Sequence, residues 1–141
     1  MAGHKLVIKY KDSSIIKGWM ENFNPEREMV IIHPLKEYSN EERLEIRLNE
    51  LKAIFFVKDF IGNRKYQKVR TFENYPYNSP TQRRIIVNFK DGEKLYGTSY
   101  SYNPLKKGFF IYPIDSFDNN IRIFAVKDAI EKVEFPNNLS L

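Results

Sequence analysis

The sequence predicts an all-β protein: two tandem five-stranded small barrels joined by an irregular connector. Three observations predict it. Residues 4–35 align with residues 83–114 without a gap at a constant offset of 79, and two copies of one pattern mean two copies of one folding unit. Apolar and polar residues alternate with a period of two, as in Leu6, Ile8 and Tyr10 or Ile85, Val87 and Phe89. No stretch of about 11 residues carries a helical apolar stripe.

The elements follow in order. Each copy opens with two extended runs joined by a turn pair, Asp12-Ser13 or Asp91-Gly92, which reads as a hairpin. The second strand, Ile15–Phe23 or Lys94–Tyr102, holds one glycine, Gly18 or Gly97. A glycine inside a strand marks a sharp bend or a close backbone approach, and small closed sheets need one. Asn24-Pro25 and Asn103-Pro104 begin the next turns. A third strand, Met29–His33 or Phe109–Tyr112, is stopped by proline. A polar loop, Lys36–Arg43 or Asp115–Asn120, leads to a fourth strand, Leu44–Leu48 or Ile121–Val126. A short turn then precedes the fifth, Ala53–Val57 or Glu131–Phe135.

This layout sets the expected division: residues 1–60 as the first small barrel, 61–83 as a basic aromatic connector and 84–141 as the second. Units of this size are marginal alone, so the two are expected to pack together, with Trp19, Phe55 and Phe60 sealing an interface or anchoring the connector. The order of five short strands, with a bent second and a turn before the fifth, resembles the SH3-like and Sm-like barrels. The Sm-type RNA signature does not carry over. Its basic–glycine–acidic step before the last strand falls near Asn49-Glu50 and Lys127-Asp128, where neither copy has glycine. That resemblance implies a fold and no RNA site.

Phe55-Phe56-Val57-Lys58-Asp59-Phe60, Gly108-Phe109-Phe110 and Asn119-Asn120-Ile121-Arg122-Ile123-Phe124 are similar to the markers of an uncharacterised bacterial family with this tandem layout. The resemblance implies a cytoplasmic protein, with some members attached to signalling modules. It implies no reaction and no residue roles.

Composition narrows the function classes. With 42% hydrophobic and 15% aromatic residues, the chain has material for a core. It lacks cysteine, which removes disulfides, thiolate zinc sites and thiol catalysis and fits a reducing cytoplasm. No apolar run reaches the roughly 20 residues of a membrane span, and the start of the chain has no apolar signal region. The net charge of +5 is concentrated. Residues 1–57 carry nine basic and nine acidic residues, and residues 85–141 seven of each. Residues 58–84 carry seven basic residues against Asp59 and Glu73, so the whole excess lies in the connector.

No catalytic, cofactor or metal site is expected. His4 and His33 are the only histidines, too few for a metal centre of three or four ligands. No nucleophile elbow or phosphate loop is present. Asn119, Asn120 and Arg122 allow a small polar pocket, but a turn followed by a solvated or salt-bridged arginine is the favoured reading. The best binding candidate is the connector. Arg64, Lys65, Tyr66, Lys68, Arg70, Arg83 and Arg84, with Phe72, Tyr75 and Tyr77 among them, alternate cations for phosphates with rings for bases. The competing reading is a structural strap held by aromatic anchors. The expected function is a non-enzymatic binding or adaptor module with a protein partner. The alternative is single-stranded nucleic acid or another polyanion bound by the connector.

Overall fold

The computed structural model describes residues 3–62, 72, 82–114 and 117–136. The all-β expectation holds. Ten strands run in chain order: β1 (His4–Tyr10), β2 (Ile15–Met20), β3 (Met29–Pro34), β4 (Leu44–Arg47), β5 (Leu51–Val57), β6 (Arg83–Phe89), β7 (Lys94–Ser99), β8 (Gly108–Pro113), β9 (Asn120–Val126) and β10 (Ile130–Glu134). One-turn 3-10 helices at Leu48–Glu50 and Lys127–Ala129 precede β5 and β10. Neither is long and apolar enough to cross a membrane.

The strands form one antiparallel sheet in the order β10-β6-β7-β8-β9-β5-β1-β2-β3-β4. Among the described residues it is not closed, and β4 and β10 are its two ends. The registers repeat at the offset of 79 seen in the sequence. Lys9 faces Ile15 as Asn88 faces Lys94, and Val30 faces Ile46 as Phe109 faces Ala125. The offset persists through the fifth strands, where Ile8 faces Ile54 as Val87 faces Val133.

Gly18 and Gly97 lie where the second strand of each half passes close against the backbone of the third. A Cβ on Gly18 would stand 2.4 Å from the His33 carbonyl oxygen and 2.8 Å from the Pro34 Cα. On Gly97 it would stand 2.4 Å from the Tyr112 carbonyl oxygen. Only glycine permits backbones that close.

The centre of the sheet is the junction of β5 with β9, where Ala53 faces Ala125, Ile54 faces Phe124 and Phe55 faces Ile123. Successive side chains of a strand point to opposite faces. Here both faces are covered. Ile54 and Phe56 join Phe124 and Val126 in a core with Leu6, Ile8 and Ile32. Ala53, Phe55 and Val57 join Ile123 and Ala125 in a second core with Ile85, Val87 and Ile111. Each half of the chain thus completes the core of the other, and every residue of β5 is buried.

Candidate functional site

The two sequence motifs at Phe55–Phe60 and Asn119–Phe124 meet at this junction. The Asn119 side chain donates to the Asp59 carbonyl at 2.9 Å and accepts from the Asp59 amide at 3.1 Å. The Asn119 carbonyl also accepts from the Lys58 amide. An amide side chain that pairs with both backbone groups of one residue extends the ladder past the end of β5. Arg122 lies with its guanidinium carbon 4.4 Å from the Phe56 ring centre and 4.2 Å from that of Phe110. Phe124 packs edge-on against Phe23 at 4.9 Å. Asn119 and Arg122 therefore hold the junction together, while the Asn120 amide and side chain donate to Asp118 within the turn. Phe60 continues the pinning, edge-on to Trp19 at 5.6 Å, with its carbonyl accepting from the Lys17 ammonium.

Lys52 is a functional-looking residue that sequence reading missed. An irregularity in register between Lys9 and Tyr10 makes it the extra residue of a bulge on β5, and bulges re-aim side chains. Its side chain is 5% exposed and reaches the β6–β7 hairpin of the other half. There the ammonium donates to Asp91 Oδ2 at 2.7 Å and to Glu93, and lies 4.7 Å from the Phe89 ring centre. The hydrogen bond from Lys52 holds the Asp91 carboxyl below the usual carboxylate range, against a smaller opposing effect of burial. A buried lysine beside two carboxylates resembles a catalytic arrangement, but both its partners are salt-bridged to it. No group of three or more His, Cys, Asp or Glu residues that could hold a metal occurs among the described residues.

Two open clefts flank the junction. One, of about 320 Å³, is lined by Glu28, Arg47, Leu48, Leu105, Lys106, Lys107, Val126, Lys127 and Asp128. Leu105 is 88% exposed at its mouth. Lys106 pairs there with Glu26 across the halves at 3.2 Å. The second, of about 220 Å³, lies between the Asn103-Pro104 turn and β10. Tyr102, Phe109, Ile130 and Val133 supply its apolar lining, and Lys106, Lys127, Lys132 and Glu131 its charges.

Of the connector residues proposed from sequence, Arg64, Lys65, Tyr66, Lys68 and Arg70 lie outside the described residues, as do Tyr75 and Tyr77. Arg83 opens β6, its guanidinium carbon 3.7 Å from the Phe135 ring centre. Arg84 is 1% exposed, and its guanidinium carbon lies 5.6 Å from the ring centre of Phe72, which is itself buried against Tyr96. Arg83 and Arg84 are neighbours on one strand, so they point to opposite faces of the sheet. The structure does not bring them together on one surface.

What the fold and these sites define is an all-β chain with open clefts at its surface. Over residues 2–136 it matches a family of unknown function (DUF6982), and it belongs to that family. No curated protein and no solved structure gave a match.

Proposed function

We propose that this protein is a non-enzymatic, cytoplasmic binding module for polypeptide partners, built from two small barrels of the Sm/SH3 type. The strand orders β5-β1-β2-β3-β4 and β10-β6-β7-β8-β9 support the barrel reading, as do the close backbone approaches at Gly18 and Gly97 and the 3-10 turn before each last strand. The observation that carries the binding reading is the β10 edge. Among the described residues β10 pairs on one side only, with β6, and a cleft with an apolar lining lies beside it. An unpaired edge offers main-chain donors and acceptors to an extended peptide, and an adjacent cleft selects its side chains.

Selection of displayed random peptides on the immobilised full chain tests this reading. Enrichment of extended sequences supports it. Failure to enrich any peptide, with single-stranded RNA bound in a strongly salt-dependent manner, would replace it by the polyanion reading of the basic connector.

A further inference from the structure

The first half of the protein contains a seat that is filled, and the second half contains its counterpart, which is open. In the first, Phe124 of β9 packs on Phe23, and Val126 packs with Leu48, Leu51 and Ile54. The offset of 79 converts Phe23, Leu48, Leu51 and Ile54 into Tyr102, Lys127, Ile130 and Val133. Those four line the open cleft of about 220 Å³. β10 borders this cleft as β5 borders the first seat, and its outer edge has no partner strand among the described residues.

The strand that fills the first seat shows what geometry a ligand needs. β9 runs antiparallel to β5 and sends two apolar side chains, at alternate positions, into the seat. The charges around the open seat differ from those of the first. Lys106 is paired with Glu26, and Lys127 and Lys132 stand against Glu131 in the lining, which leaves an excess of positive charge. A second copy of this chain is a poor occupant. It has two free edges among the described residues: β10, which would set a second Lys132 against the basic cleft, and β4, which carries Glu45 and Arg47 where β9 carries Phe124 and Val126. It would bring a cation to a basic cleft and place no ring in it, and Glu45 is already paired with Arg43 at 3.1 Å. Charged residues at such positions are how sheet edges avoid self-association.

We propose that the β10 edge and its cleft bind an extended strand of a partner protein in which apolar residues alternate with carboxylates. Resting on the binding-module reading, this assigns that module's ligand. The strand adds antiparallel to β10. Two apolar side chains enter between Tyr102, Ile130 and Val133. The carboxylate between them lies opposite Lys132, as Ala125 lies opposite Ala53 in the filled junction. A second carboxylate, beyond the second apolar residue, meets Lys127.

The test uses the full chain and a blocked peptide, Thr-Ile-Thr-Phe-Glu-Val-Glu. Amide resonances of Ile130–Glu134 and Tyr102 are expected to shift on titration. Replacing the two glutamates by lysine, or the Phe and Val by serine, is expected to abolish the shifts. The double substitution Lys127→Glu and Lys132→Glu should raise the dissociation constant about tenfold or more, whereas Glu131→Lys should lower it. The unchanged dispersion of all other amides verifies that both variants are folded. Absence of shifts at about 1 mM peptide, or equal binding of the lysine peptide, overturns the proposal. Enrichment of displayed peptides without this alternation, or shifts confined to β4, also overturns it, yet leaves the binding-module reading in place.

Discussion

Arg122 stands directly opposite Phe56 in the β5–β9 register, and its guanidinium covers the face of that ring at 4.4 Å. The residues at the same offset positions, Arg43 and Phe135, lie at the two far ends of the sheet, beside β4 and β10. One sequence pattern therefore makes a contact at the centre and leaves its two parts separated at the margins.

The Arg122 contact is expected to contribute to stability through both rings it covers. A cation over an aromatic face is worth about 0.5–1 kcal/mol when exposed and about 2 when desolvated. Arg122→Ala should lower the unfolding free energy in urea by about 1–2 kcal/mol. Arg122→Lys should recover only part of that, because an ammonium cannot lie flat on two rings. A loss no larger than that of an exposed control such as Arg43→Ala would remove the contact from the account.

Because β5 and β9 each supply side chains to both cores, the two halves are expected to unfold together. Phe124→Ala empties a position among Phe23, Phe110 and neighbours in the first core and should cost about 3–5 kcal/mol. The substituted residue belongs to the second half by sequence, yet the first half loses its packing. Calorimetry should show one transition for the wild type and one, lower, for the variant. Separate transitions, or a folded fragment of residues 3–62, would show that the halves stand alone.

Much of this fold is legible in the sequence because its signals are local. Hairpin turns, alternating strands, two strand glycines and a constant offset lie within a few residues of each other. β5 starts at Leu51, two residues before the expected Ala53, because the 3-10 turn closes at Glu50. The junction was not legible, since Asp59 meets Asn119 across 60 positions. One signal pointed to it. Ala53–Val57 and Ile123–Val126 are continuous apolar runs, which mark strands buried on both faces, whereas most other strands alternate. Lys52 was hidden for a related reason. A lysine beside an apolar run reads as solvated until the bulge that turns it inward is seen.

Ser13 is a place where the chain departs from its own better solution. It sits in the first hairpin turn at φ 78°, the position occupied in the second hairpin by Gly92 at φ 95°. A side chain in the left-handed region costs about 1 kcal/mol, and glycine there does not pay it. Ser13→Gly should raise stability by about 0.5–1 kcal/mol, and Gly92→Ser should lower it by a similar amount. Urea midpoints that move the same way for both substitutions would contradict this explanation.

The Lys52 ion pair predicts how stability responds to acid. Asp91 is held below the ordinary carboxylate value of 3.8, first by the hydrogen bond from Lys52 and then by the Glu93 amide and neighbouring positive charge. A carboxyl whose folded value is depressed adds stability that is present above its unfolded value, here near 3.8, and is lost as the pH falls through the lower, folded value. Both carboxylates are about one-third exposed, so water screens part of the interaction and the total effect is modest. Lys52→Met keeps most of the apolar stem and removes the ammonium, with its contact to the Phe89 ring. At pH 7 it should cost about 1–2 kcal/mol, since the hydrogen bonds of a charged donor are lost. The difference between wild type and variant should stay constant from pH 7 to about pH 5 and shrink as the pH falls below 3.8, because Asp91 then takes up a proton and its ion pair with Lys52 is lost. Urea titrations of both proteins across that range measure it. A difference that is as large at about pH 2.5 as at pH 7 would mean that packing of the Lys52 stem, and not its charge, is what holds the hairpin to β5.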